Sequence, residues 1–279
     1  MAQKPPLRAI ILDNDETTGS YAILFAIIHT LHQIPNIKMS TVATILQRLG
    51  TWMIRNHVFR PGLRMLLQTI LQLKYENKID IVIMYTNQKD DDPPESYNEA
   101  GGDFLPVLWS VPMCIAYMFC YLMGDNVINM IMSRPANHIR LPNGIIMKHW
   151  YRVLQQFPDR PIDIRSMIFI DDLACPAYIS PVSIPRNATD PSCWYRVDPY
   201  KRKLSEREIY ACLEVCCKDF FKPDDLYECV YAHYISYMPS MTTTPNTKTM
   251  LQVCDALQAK FGPVSLPAEI PSPNYSPTA

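Results

Sequence analysis

Two aspartates near the start of the chain, Asp13 and Asp15, directly follow an apolar run and are the residues best suited to chemistry. Such a run is typical of a buried strand in an open α/β sheet, where reactive side chains follow the carboxyl end of the strand. The turn-forming residues 17–20 would let both carboxylates converge on one site. Because neighbouring carboxylates repel each other, the pair favours a hard divalent cation, Mg²⁺ first.

Two other apolar runs also end in residues that could serve the same site. Residues 80–86 end in the hydroxyl of Thr86, and residues 166–170 are followed by Asp171 and Asp172. Because the carboxyl ends of parallel strands meet at one edge of a sheet, we expect these side chains to lie close to the first acidic pair. The sequence therefore predicts a polar cluster assembled from distant segments.

The elements that must position this cluster alternate between strand-like and helical patterns. Strands are predicted over 7–12, 80–86, 127–132 and 166–170, and a polar loop over 87–103. Helices are predicted over 21–32, 41–56, 63–74, 107–123, 148–157, 204–221, 224–237 and 247–261. This alternation favours an α/β fold with a parallel sheet.

Read in chain order, Asp-x-Asp-x-Thr, Thr86, Lys148 and Asp-Asp resemble the four motifs of the haloacid dehalogenase (HAD) superfamily. Glu16 and the Arg-Pro-Gly of 60–62 are most similar to one branch, the NLI-interacting-factor and RNA-polymerase carboxy-terminal-domain phosphatases. The resemblance covers about residues 7–180. It implies a HAD-like (Rossmannoid) three-layer fold around a parallel sheet.

The resemblance also implies a role for each residue of the cluster. Asp13 would be the nucleophile that forms an aspartyl-phosphate, and Asp15 the general acid and base. Lys148 would bind the phosphoryl oxygens, with Lys78 and Arg152 as rivals for that position. The other phosphate-binding residues would be Thr86 and Asn87, and the Mg²⁺ ligands Asp13, Asp15 through its backbone carbonyl, Asp171 and Asp172.

The expected organisation is a HAD-like catalytic domain over 1–200, with inserts at about 21–57 and 87–147. A helical C-terminal extension would follow over 201–262, and a disordered Pro/Ser-rich tail over 263–279. The first insert has a helical pattern where phosphatases of this branch usually have a β-flap. The lid that faces the substrate is therefore expected to differ.

Three functions are compatible with these residues. The first is a Mg²⁺-dependent phosphatase acting on phosphoserine or phosphothreonine in proteins, the substrate that the resemblance implies. The second is a HAD phosphatase for a small molecule or a nucleic-acid end, which a helical lid would favour. The third is a catalytically silent HAD-like scaffold whose C-terminal helices bind a partner. The retained set of mutually repelling acids argues against the third.

The overall composition limits the binding partners and the cellular compartment that can be expected. The 279 residues carry a net charge of -1, so no specific binding to nucleic acid or to an anionic membrane is expected. The nine cysteines include no Cys-x-x-Cys pair, which argues against zinc. Their odd number and the lack of a recognisable N-terminal signal peptide favour a reducing, intracellular compartment, the cytoplasm or nucleus. The apolar run 107–123 is short for a membrane span and contains Pro112, so it is expected to be a buried helix.

Overall fold

A computed structural model of the chain describes residues 5–89, 110–134, 138–140, 146–148, 153, 156–160, 162–172 and 193–265. The strands are β1 (Leu7–Leu12), β2 (Ile81–Lys89), β3 (Met130–Arg134), β4 (His138–Arg140), β5 (Ile146–Lys148), β6 (Ile162–Asp171) and β7 (Trp194–Arg196). Five of them form one sheet in the order β3-β2-β1-β6-β7, and every neighbouring pair is parallel. Strands β4 and β5 form a separate antiparallel pair.

The helices of the described residues are α1 (Ala22–His32), α2 (Met39–Arg55), α3 (Leu63–Tyr75), α4 (Val111–Met123), α5 (Glu206–Cys216), α6 (Pro223–Tyr237) and α7 (Lys248–Phe261). The three C-terminal helices each pack on one of the first three: α6 on α1, α5 on α2 and α7 on α3. All of these helices contribute to one large hydrophobic cluster, so the C-terminal helices share the main core.

Alternate side chains of β1 face opposite sides of the sheet, as the two-residue period of a strand requires. Ile10 and Leu12 belong to the large cluster that the helices cover. Ala9 and Ile11 belong to a second, smaller cluster on the other side, together with Val153. From residue 9 to its end, β1 is buried on both faces and its sequence is apolar, which is the pattern of a central parallel strand.

The strand order places a topological switch point beside β1. The chain proceeds from β1 outward to β2 and β3, and then returns to the opposite side of β1 with β6 and β7. In open α/β sheets, ligands bind beyond the carboxyl ends of the strands at such a point. The tips of β1 and β6 are therefore the expected place for a site.

The structure confirms an α/β fold with a parallel sheet and corrects several boundaries. The helix predicted to begin at Lys148 is wrong there, because Ile146–Lys148 is a strand whose Lys148 pairs with His138 of β4. Pairing with a neighbouring strand is a contact that local periodicity does not reveal. The loop predicted from residue 87 is also wrong at its start, since β2 continues to Lys89. The rest of that loop and residues 266–279 lie outside the described part.

Two further observations concern the predicted reducing compartment and the predicted absence of a membrane span. No disulfide joins the cysteines that the structure describes. Within the same residues, no helix has both the length and the hydropathy that crossing a bilayer requires. The apolar run that ends at residue 123 forms α4, which packs on α2 and α3.

Candidate active site

Three buried carboxylates meet at the switch point. Asp13 follows β1, Asp171 ends β6 and Asp172 follows it, and each offers an oxygen within 4.8 Å of an oxygen of the others. Their relative exposures are 2%, 0% and 6%, so none is solvated by bulk water. Carboxylates packed this closely in a medium of low dielectric need compensating positive charge.

The hydroxyl of Thr17 lies between two of these carboxylates. Its Oγ1 donates toward Asp13 Oδ2 at 3.0 Å and toward Asp172 Oδ1 at 3.2 Å. Thr17 is itself fully buried. The hydroxyl therefore links the end of β1 to the end of β6.

Backbone hydrogen bonds hold the loop that carries the first aspartate. The amide of Asp13 donates to the carbonyl of Ile170 at 2.9 Å, which extends the pairing of β1 with β6 up to the site. The chain then turns tightly, with Glu16 at a positive φ of 55° and its amide bonded to the carbonyl of Gly19 at 3.0 Å. A left-handed residue is unusual outside glycine and indicates that the surrounding contacts hold the turn.

Arg60 secures this loop from outside. The arginine is 4% exposed, and its Nη2 donates to the carbonyl of Glu16 at 2.6 Å and to that of Asp198. Its guanidinium also lies over the ring of Tyr200, 5.3 Å from the centroid. Burial lowers the pKa of Arg60 to about 10, although the charge of Asp172 opposes the shift. Arg60 thus connects the first loop to the segment after β7.

Asp15 is not among the three carboxylates whose oxygens meet. It is half-buried, and its backbone carbonyl accepts the amide of Thr17 at 2.5 Å. Asp15 also lines a cavity of about 220 Å³ between the first loop and the helices. The cluster of described ligand atoms therefore contains Asp13, Asp171 and Asp172, whereas coordination through Asp15 stays a prediction.

The three residues predicted to bind phosphate lie on strands β2 and β5. Thr86 is fully buried on β2, two positions beyond Met84, which pairs with Leu12 of β1. The backbone of Asn87 continues β2, and that of Lys148 ends β5, which lies against β2. The side chains of Asn87 and Lys148 are outside the described part. Their phosphate-binding roles, like that of Thr86, therefore stay predictions.

The two rival cations can be placed only in part. Lys78 precedes β2, at the amino ends of the strands, and its Nζ pairs with Glu76 at 2.7 Å. That end of the sheet is opposite the aspartates, so Lys78 does not reach the cluster. Arg152 lies outside the described residues.

The donor set of the cluster fits Mg²⁺. All three side chains are carboxylates, and small divalent cations take hard oxygen ligands and usually need only one or two carboxylates besides water and substrate oxygens. Soft ligands are absent from this described cluster, which makes zinc or copper a poorer match. The chemistry of the donors is therefore compatible with a magnesium site, and equally with a site for another oxygen-preferring cation.

Comparison with known proteins adds no assignment: neither a family model, nor a curated protein, nor a solved structure matches the chain. The proposed chemistry consequently rests on the residues and their geometry, and the HAD resemblance remains a prediction.

Three contributors to this region escaped sequence reasoning. Thr17 was assigned to the turn and to the Asp-x-Asp-x-Thr pattern without a contact of its own, yet its hydroxyl contacts two carboxylates. Its position four residues after Asp13, inside the Asp-x-Asp-x-Thr pattern, is the signal that could have revealed it. Asp198 contributes a backbone carbonyl and Tyr237 a cavity wall, and neither leaves a sequence signal.

Proposed function

We propose that this protein is a Mg²⁺-dependent phosphoric monoester hydrolase, a phosphatase that works through an aspartyl-phosphate. The observation that carries the proposal is the buried trio of Asp13, Asp171 and Asp172 at the switch point of a parallel sheet. Keeping three carboxylates together away from water is costly unless a cation is bound there. Phosphoryl transfer is the chemistry that most directly uses a carboxylate nucleophile beside a magnesium ion.

In the first half of the reaction, an oxygen of Asp13 forms a bond to phosphorus while the bond from phosphorus to the ester oxygen breaks. Asp15 gives its proton to that leaving oxygen, which departs as an alcohol. In the second half, Asp15 takes a proton from water, the water oxygen bonds to phosphorus, and the bond to Asp13 breaks. Inorganic phosphate leaves and both aspartates return to their starting states.

Magnesium, held by Asp13 with Asp171 and Asp172, would offset the repulsion between the nucleophile and the negative phosphoryl group. Thr86, Asn87 and Lys148 are the residues expected to hold the phosphoryl oxygens.

Two classes of substrate are compatible with this chemistry. The HAD resemblance favours phosphoserine or phosphothreonine in a protein. A small-molecule phosphate is supported by a different observation, the cavity of about 220 Å³ that Asp15 borders together with helical residues.

The test is hydrolysis of p-nitrophenyl phosphate with and without Mg²⁺ by wild type and Asp13→Asn. Asp255→Asn, on the exposed face of α7, is the matched control. We expect Mg²⁺-dependent turnover in wild type and in the control, and its loss in Asp13→Asn by roughly four orders of magnitude. Calorimetric titration should also show weaker Mg²⁺ binding to Asp172→Asn than to wild type.

Activity without Mg²⁺, or retained in Asp13→Asn, would contradict the mechanism. Folded protein with no turnover of any phosphate ester would favour the silent scaffold.

A further inference from the structure

The geometry points to a leaving-group pocket, built by the loop after β1 together with α1 and the end of α6, that accepts an aromatic alcohol. The inference rests on the proposed phosphatase function and names its substrate class. It also gives the C-terminal helices a role, because one wall of the pocket comes from them.

The cavity connects the proposed proton donor to an aromatic surface. It measures about 220 Å³, and the residues that line it include Asp15, Ser20, Tyr21, Phe25, Tyr237 and Pro239. Two of these, Phe25 on α1 and Tyr237 at the end of α6, stack with centroids 5.0 Å apart and planes inclined by 19°. The two rings come together because α1 and α6 pack along each other, and Phe25 also packs against the core.

The position of the cavity next to Asp15 determines which part of the substrate it would hold. A phosphoryl group bound at Asp13 has its ester oxygen beside the proton donor two residues further along the chain. The organic part of the ester extends past Asp15 and so enters the cavity that Asp15 borders. An apolar cavity of about 150 Å³ is enough for benzene, so the volume suits one substituted ring.

The experiment compares benzyl phosphate with propyl phosphate, two alkyl esters whose alcohols differ mainly in the ring. Values of kcat/KM are measured for wild type, Tyr237→Ala and Phe25→Leu. Tyr237→Phe keeps the ring, and Tyr227→Ala removes a stacked tyrosine of the same helix outside the cavity. A phosphoserine peptide is the third substrate.

We expect wild type, Tyr237→Phe and Tyr227→Ala to favour benzyl over propyl phosphate by about tenfold. In Tyr237→Ala and Phe25→Leu the ratio should fall toward one, while propyl phosphate turnover changes little. Tyr237 is 44% exposed, so its truncation should leave the fold intact, which circular dichroism checks. Three results would contradict the pocket but not the phosphatase function. They are a benzyl-to-propyl ratio near one in wild type, a ratio in Tyr237→Ala equal to that of wild type, and a preference for the phosphopeptide.

Binding of benzylphosphonate, followed by ligand-observed NMR, separates the two proposals. If no ester is hydrolysed but this phosphonate binds wild type and not Tyr237→Ala, the pocket is supported and the phosphatase fails. If no ester is hydrolysed and benzylphosphonate does not bind, both the pocket and the phosphatase function are contradicted.

Discussion

Asp13 and Asp172 accept hydrogen bonds from the same hydroxyl, that of Thr17, at 3.0 and 3.2 Å. A hydroxyl carries one proton, so it cannot serve both oxygens fully at the same time. It orients the two carboxylates toward each other without cancelling their charge. The arrangement is compatible with a bound cation.

The first prediction concerns this shared hydroxyl. Thr17→Val keeps the shape of the side chain and removes the donor, so the metal-free protein should lose about 1–2 kcal/mol of unfolding free energy. Saturating Mg²⁺ should reduce the deficit, because the cation then compensates the carboxylates. Urea unfolding with and without Mg²⁺ measures both effects, and Thr17→Ser is the control that keeps the donor. Equal stability of Thr17→Val and wild type would show that the hydroxyl contributes nothing.

The second prediction separates proton transfer from metal binding. Asp15→Asn should lower kcat by roughly 10²–10⁴-fold, because the amide cannot donate or accept the proton. Its Mg²⁺ affinity in calorimetric titration should match that of wild type, since the Asp15 side chain lies outside the described cluster. Unchanged turnover would reject Asp15 as the acid and base, with Asp255→Asn again as the control.

The third prediction addresses the buried arginine. Arg60→Met should lower the unfolding free energy by about 2–3 kcal/mol, since the carbonyls of Glu16 and Asp198 both lose a charged donor. Arg207→Met on exposed α5 is the matched control and should change stability little. Urea unfolding provides the measurement. A small loss in Arg60→Met would mean that the first loop is held without the guanidinium.

The fourth prediction is a pH dependence at the opposite end of the sheet. Burial alone would raise the pKa of Asp80, but Arg8 at 3.0 Å and Arg160 at 3.1 Å outweigh it and keep the pKa below its usual value. A carboxyl group with a lowered pKa stabilises the fold above its unfolded pKa and loses this effect as the pH falls through the folded one.

Wild type should therefore be more stable than Asp80→Asn by about 1 kcal/mol at neutral pH, and the difference should shrink below about pH 4. Thermal unfolding across this range checks the change, with the exposed Asp159→Asn as control. A difference that stays constant down to pH 2 would contradict the assigned sign.

Local pattern was enough to locate the strands that carry the candidate site. The tips of β1 and β6 could be predicted because residues 9–12 and 167–170 are buried apolar runs that end in acids, whereas the polar first half of β6 was missed. Their meeting could be expected from the geometry of parallel strands. Strand β7 and the β4–β5 pair have three residues each, too short for a periodic signal, and pairing with neighbours defines them.

Long-range contacts were beyond the reach of the sequence. Arg60 could be recognised as part of an Arg-Pro-Gly stop, yet its binding to the carbonyl of Asp198 depends on how distant segments meet. The same holds for Phe25 and Tyr237, which come together only because α6 packs on α1. Neither residue has an unusual neighbourhood along the chain.

The position of β6 has a consequence for biosynthesis. Strands β1, β2 and β3 are translated before β6. One edge of β1 therefore stays unpaired until β6, its neighbour on that side, has been made. Until β6 is made, that unpaired, apolar edge is able to join a strand of another molecule. Slowing translation before β6 should therefore increase aggregation, and full-length release should end this exposure in the same step that assembles the acidic trio.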